Sequence, residues 1–130
     1  MARILIVEDE EQVRVLAESY LREQGHQTLS AATMEQALAL LDVAAGIDLL
    51  FVDVGLYEDR NVGLDLAQQA VVRKPDLKVL YTTGQTVTDG LKALLVEGSA
   101  LLPKPYTVDQ LQAILTVHFG IKPAPPSKSD

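Results

Sequence analysis

Three carboxylates and one lysine stand at the ends of separate apolar runs in this chain. Asp53 closes the run Ile47-Asp48-Leu49-Leu50-Phe51-Val52. Glu8-Asp9-Glu10-Glu11 follows Ile4-Leu5-Ile6-Val7, and Lys104 follows Leu101-Leu102-Pro103. An acid at the end of an apolar strand is costly unless it is paired or bound to a cation. Glu8, Asp9 and Asp53 in one pocket would raise one another's pKa. One divalent cation and Lys104 would neutralise all three. Carboxylate, carbonyl and water ligands suit Mg²⁺. Brought together at the strand ends of an open parallel sheet, where ligands bind, these residues form a metal-assisted phosphoryl site rather than a core.

Each residue also has a plainer reading. Acids at a helix start interact favourably with the helix dipole, which accounts for Glu10 and Glu11 as well as any ligand does. It suits Glu8 and Asp9 less, because they lie in the strand-to-helix turn. Asp53 could cap the next helix, but a long loop precedes that helix. Lys104 could be a solvated loop lysine; Pro103 and Pro105 restrict the backbone around it and argue for a fixed position. Thr82-Thr83-Gly84 ends a further strand, where a hydroxyl could donate to a phosphoryl oxygen and Gly84 permits a close approach. His26 and His118 lack a metal-ligand partner at useful spacing, and surface or partly buried positions suit both.

The elements that must position these residues follow from periodicity. Strand patterns run over Ala2–Val7, Gln27–Ala31, Leu49–Asp53, Leu77–Thr82 and Ala100–Leu102. Helical stripes alternate with them. The first helix spans Glu11–Gln24, with Val13, Leu16, Ala17, Tyr20 and Leu21 facing inward, and Gly25 stops it. Thr33-Met34-Glu35-Gln36 reads as a capping box before Ala37, Leu38 and Leu41. A polar loop from Gly55 to Val62 leads into a helix over Gly63–Arg73 that Pro75 prevents from continuing. A fourth helix is predicted over Thr86–Glu97, with Leu91, Leu94 and Leu95 as its stripe. Thr107-Val108-Asp109-Gln110 opens the last helix, which Gly120 ends. Alternating βα units imply a parallel sheet covered on both faces, a doubly wound α/β domain. It occupies residues 1–120. Residues 121–130, rich in Pro and Ser, read as a disordered tail.

Composition narrows the function. The 130 residues, 48 % hydrophobic and 22 % charged, suit one ordinary globular domain. No apolar stretch is long enough to span a bilayer. There is no signal-peptide pattern, and no cysteine for a disulfide or thiolate site, which together fit a cytoplasmic protein. A net charge of −7 with scattered Lys and Arg disfavours direct nucleic-acid binding.

Glu8-Asp9, Asp53, Thr83 and Lys104-Pro105, each at the end of its own strand, resemble the response-regulator receiver domain of two-component signalling. The resemblance covers about residues 2–119. It implies a flavodoxin-like (βα)5 fold with sheet order 2-1-3-4-5. It implies that Asp53 accepts a phosphoryl group from a phosphohistidine on a sensor histidine kinase or histidine phosphotransfer protein. Glu8, Asp9, Asp53 and the backbone carbonyl of Gly55 would ligate Mg²⁺. Lys104 would contact the phosphoryl group, and Thr83 would reorient toward it as the switch. A downstream effector protein would dock on the face of the fourth helix, fifth strand and last helix. Gly55 and Gln85 stand where the family tunes attack of water on the acyl phosphate. The chain departs from the family pattern at Glu8, where Asp is common, and at Leu101, where an aromatic switch residue is common. The loop after Asp53 is longer than usual, and the segment from Gly98 to Lys104 is one residue short.

Other classes compete. A degenerate receiver acting as a phosphorylation-independent binding module would not need the full acidic set with Thr83 and Lys104. An aspartyl-phosphate hydrolase would want a second Asp two residues after Asp53, where Gly55 stands. A flavin carrier would place its cofactor phosphate against Asp9-Glu10-Glu11, which would repel it.

Overall fold

The computed structural model describes residues 2–56 and 60–123; Tyr57, Glu58 and Asp59 of the loop and residues 124–130 of the tail lie outside them. Ten elements alternate along the chain. They are β1 (Arg3–Val7), α1 (Glu11–Glu23), β2 (Gln27–Ala31), α2 (Met34–Val43), β3 (Leu49–Asp53), α3 (Arg60–Arg73), β4 (Lys78–Thr83), α4 (Asp89–Lys92), β5 (Ala100–Pro103) and α5 (Val108–Phe119). The five strands form one parallel sheet in the order β2-β1-β3-β4-β5. This is the doubly wound α/β fold that the alternating pattern predicts.

Strand alternation divides the core in two. All five residues of β3 are buried. Leu50 and Val52 pack with Ala37 and Leu41 of α2 and with Leu66, Ala67 and Ala70 of α3. Leu49 and Phe51 point to the other face, among Ala17 and Leu21 of α1 and Leu111, Leu115 and Phe119 of α5. A central parallel strand covered on both faces must be apolar throughout, which is why Asp53 stands out at its end.

Local chemistry sets the helix ends. The Thr107 hydroxyl accepts the Gln110 N–H at 3.1 Å while the Gln110 side chain accepts the Thr107 N–H at 2.8 Å, a complete capping box. Thr33 caps α2 through the Gln36 N–H, but the Gln36 side chain reaches the Ala32 N–H instead, so that box is shifted by one residue. Gly25 at φ +89° closes α1, its N–H on Arg22 O and the next N–H, of His26, on Leu21 O.

Several expectations change in the folded chain. The fourth helix is four residues long rather than twelve. Thr88 caps it by accepting the Leu91 N–H at 3.1 Å, which rules out a start at Thr86. After Lys92 the bonds tighten to three-residue turns, Leu94 N–H to Leu91 O and Leu95 N–H to Lys92 O. The Val96 N–H leaves the helical path to donate to the hydroxyl of fully buried Tyr81 on β4. Leu91 is buried, but Leu94 is exposed. In α1 the stripe is narrower than predicted, since Leu16 is 71 % exposed. The third helix starts at Arg60, three residues before Gly63. Ile121, at the start of the tail segment, is buried against the α5 side of the core.

His26 is also buried rather than superficial. Its Nδ1 accepts the Ala2 N–H at 3.2 Å, so the neutral ring carries its proton on Nε2. Burial, and next the charge of the chain's N-terminus, push its pKa below the usual 6.5. The folded state therefore binds this proton less readily than the unfolded chain, and its stability falls as pH drops below the unfolded value. Denaturant unfolding between pH 7.5 and 5.5 should show a loss of at most about 1.4 kcal/mol per pH unit from this proton. A His26→Gln variant should lack that component; an identical pH slope in the variant would remove His26 as its source.

Gly63 brings α3 close against the backbone at Asp53 and Val54. A Cβ there would stand 2.4 Å from the Asp53 carbonyl oxygen and 2.8 Å from both Val54 Cα and Val54 O, all backbone atoms that cannot swing aside. Gly63→Ala should destabilise by about 1–3 kcal/mol or more. Gly90→Ala, whose Cβ meets only the Thr88 Oγ1 at 3.8 Å, should be neutral or slightly stabilising. Thermal unfolding of the two variants side by side checks this.

Candidate functional site

The sheet register brings the predicted residues to one edge. Val7 pairs with Val52 and Asp53 pairs with Thr82, so Glu8 and Asp53 are the next residues on adjacent strands and face the same end. Thr83 pairs with Pro103, and the Lys104 N–H donates to Thr83 O at 2.7 Å. Lys104 therefore leaves β5 directly beside the end of β4. The Lys104–Pro105 peptide is cis, and Tyr106 after it packs on Phe51 with ring centroids 5.9 Å apart. That aromatic contact seats the loop that carries Lys104 on β3.

The side chains converge. Lys104 Nζ donates to Glu8 Oε1 at 2.7 Å and to Asp53 Oδ2 at 3.1 Å. Carboxylate oxygens of Glu8, Asp9 and Asp53 all lie within 4.8 Å of one another. The remaining Asp53 oxygen, Oδ1, accepts the Gly55 N–H at 3.0 Å, and Glu8 Oε2 accepts the Glu10 N–H at 3.3 Å. Glu8 and Asp53 are buried while Asp9 is half-buried, so the cluster opens to solvent on the Asp9 side. Thr83 is buried one residue beyond Thr82, and its hydroxyl accepts the Gln85 N–H at 3.1 Å. The Thr82 hydroxyl donates to Leu102 O at 2.8 Å and serves the sheet.

Electrostatics reflect that crowding. Burial pushes the Glu8 carboxyl up from its ordinary 4.5 to about 7; the hydrogen bond from Lys104 opposes this, and the Asp53 charge reinforces it. Burial works against the Lys104 ammonium, but its hydrogen bond to Glu8 and the charges of Asp53 and Glu8 outweigh that and hold its pKa above 10.5. Among Glu8, Asp9, Asp53 and Lys104 themselves, three acids share one ammonium. Three hard oxygen donors so placed fit a divalent ion such as Mg²⁺.

Two supports escaped sequence reasoning. Arg14 Nη1 donates to the Glu8 carbonyl oxygen at 2.9 Å, tying the first turn of α1 to the acidic turn. Only the spacing of six residues hints at it, and many surface arginines share such spacings. Gly63 lets α3 approach the Asp53 backbone, and no turn signal marks it. Beside Lys104 an apolar groove of about 510 Å³ opens between α1 and the loop before α5, lined by Val13, Leu16, Tyr20, Tyr106 and Val108 among others.

Comparison with known proteins agrees with this geometry. The family model described as the response regulator receiver domain matches residues 4–116. The chain is 33 % identical over 111 residues to the alginate biosynthesis transcriptional regulatory protein AlgB of Pseudomonas aeruginosa, covering 85 % of this chain and 24 % of that protein. It is 31 % identical over 120 residues to the transcriptional regulatory protein SpaR of Bacillus subtilis, covering 92 % of this chain and 52 % of that one. The chain thus spans between a quarter and about half of these relatives. A CheY-like receiver domain protein from Methanospirillum hungatei superposes with a TM-score of 0.75 at 25 % identity, covering 92 % of this chain and 95 % of that one. With the acid cluster and its lysine assembled at the strand ends of this fold, the chain belongs to the response regulator receiver family of two-component signalling proteins.

Proposed function

We propose that this chain accepts a phosphoryl group on Asp53 from a phosphohistidine of a sensor histidine kinase or histidine phosphotransfer protein, in a Mg²⁺-dependent reaction. It then signals by phosphorylation-dependent docking to an effector protein. The observation that carries this reading is the single lysine shared by Glu8 and Asp53, at 2.7 Å and 3.1 Å, beside a third carboxylate. A lysine at that point is available to a phosphoryl group on Asp53, and the remaining acids are available to a cation.

In the transfer, the N–P bond of the donor breaks, an O–P bond to an Asp53 carboxylate oxygen forms, and the departing imidazole takes up a proton. Glu8, Asp9, Asp53 and the Gly55 carbonyl would hold Mg²⁺, which when bound neutralises charge on the phosphoryl oxygens. Lys104 contributes a fixed positive charge on the same oxygens. The Thr83 hydroxyl, which accepts the Gln85 N–H, turns to donate to a phosphoryl oxygen and gives up that N–H, which loosens the segment leading into α4. The apolar groove beside Lys104 is a surface on which a donor protein can seat, and α4, β5 and α5 form the face for the effector. Intact-mass analysis after incubation with a small phosphodonor tests the reading. Wild type should gain one phosphoryl group only with Mg²⁺, and Asp53→Asn should gain none. No gain under conditions that phosphorylate another receiver would overturn it.

The lifetime of phospho-Asp53 is set partly from Gln85. Gly55 has no side chain to obstruct or orient water, and Gln85 Nε2 lies 4.0 Å from where a Cβ at Gly55 would stand. The Gln85 amide thus lies beside Gly55, whose N–H is accepted by Asp53 Oδ1. Gln85→Ala and Gln85→Arg should each change the dephosphorylation rate severalfold and in different degrees; equal rates in all three proteins would sink the idea.

A further inference from the structure

We propose that the proline-rich tail segment Pro123-Ala124-Pro125-Pro126 lies in the apolar groove between α1 and the loop before α5, as a cover supplied by the chain itself. What the cover controls rests on that groove being the seat of the phosphodonor protein.

The last described residues already turn that way. Gly120, in the left-handed region at φ +70°, ends α5 and reverses the chain. Ile121 is then buried in the core cluster that holds Ala17 and Leu21 of α1. Its carbonyl oxygen accepts from Thr116 Oγ1 at 3.3 Å and from Gln112 Nε2 at 3.4 Å. Val108, Gln112 and Thr116 recur at every fourth residue and so share one stripe of α5. The first turn of that stripe is tied to α1, because the Tyr20 hydroxyl donates to Val108 O at 2.5 Å. The chain therefore leaves α5 folded back along the stripe that leads to Val108 and the groove.

Gln112 marks the path. Its Oε1 atom is buried and has no hydrogen-bond partner among the described residues, while the amide's other end holds Ile121 O. A buried acceptor without a donor is costly. Proline has no N–H, so within Pro123–Pro126 only Ala124 can bring the missing backbone donor.

Length and chemistry fit the groove. Thr116 to Val108 is about 12 Å along the helix axis. A polyproline II segment covers that in about four residues at ~3.1 Å each. Counted from Ile121 beside Thr116, Pro125 comes level with Val108. There the groove of about 510 Å³ is lined by Val13, Leu16, Tyr20 and Tyr106. Pro-rich segments dock in apolar grooves lined by aromatic rings. The tether makes the contact intramolecular, so a weak one suffices. A donor protein has to displace the tail to use the groove, whereas a small phosphodonor does not.

The chain has no cysteine, so Ser127→Cys gives one place for a nitroxide label on the full chain. Amide resonances of Val13, Leu16, Tyr20 and Val108 should broaden far more than those of Val43 and Val72, which are exposed on α2 and α3. Leu16→Glu, at an exposed position, should remove that difference. Equal broadening of the two groups in the labelled parent overturns the cover. A second arm compares the full chain with one ended after Pro123, which keeps Ile121. Transfer from a phosphorylated histidine phosphotransfer protein at limiting concentration should quicken about threefold or more in the shortened chain, with uptake from acetyl phosphate unchanged. Unchanged transfer from the protein donor overturns the competition. An equal gain from both donors does so too, because it places the effect at Asp53 itself. If neither donor phosphorylates either chain, the phosphoacceptor reading fails, and the label still decides whether the tail lies in the groove.

Discussion

One ammonium bridging two buried carboxylates is the constraint on which the rest depends. Glu8 and Asp53 end adjacent parallel strands, and both are almost fully covered. Two like charges so close are unfavourable in a medium that screens poorly. Lys104 makes the arrangement tolerable from the far side of β4, and Asp9 adds a third acid to the cluster. Three carboxylates gathered around one ammonium offer the kind of oxygen donors that suit a divalent cation.

The sheet exists in this form to hold that bridge. The order β2-β1-β3-β4-β5 puts the carboxyl ends of β1, β3, β4 and β5 side by side. Glu8, Asp53, Thr83 and Lys104 each follow from one of those ends. Core packing on both faces fixes β3 so fully that its last residue has little freedom. Gly63 then brings α3 against the Asp53 backbone, Tyr106 presses the Lys104 loop onto Phe51, and Arg14 braces the turn that carries Glu8 and Asp9.

The far side of the site is built differently. The segment after Gly84 has one short helix and a series of turns, held by the Tyr81 hydroxyl on the Val96 N–H and by the His118 ring nitrogen 3.0 Å from Gly98 O. Leu101 stands on β5 directly opposite Tyr81 in the register, so the aromatic of this region lies on β4 rather than β5. Ahead of those two ties the segment is only weakly helical.

Much of this was legible in the chain. The βα alternation, both ends of all five strands to within a residue, the glycine stops at Gly25 and Gly120 and the capping box at Thr107 are local signals, set by periods of two and 3.6 and by hydrogen bonds a few residues apart. Asp53, Glu8, Asp9 and Lys104 were visible because charge at the end of an apolar run has few purposes. What the sequence alone could not determine depends on groups distant along the chain. The short α4 follows from Tyr81 capturing the Val96 N–H, the burial of His26 from the Ala2 N–H, and the exposure of Leu16 from the position of the loop before α5. Residue types and spacing determined which groups could do chemistry. Only the tertiary structure decided that Lys104 meets both Glu8 and Asp53, because groups 96 and 51 residues apart come together only when the ends of β1, β3 and β5 line up on one edge of the sheet.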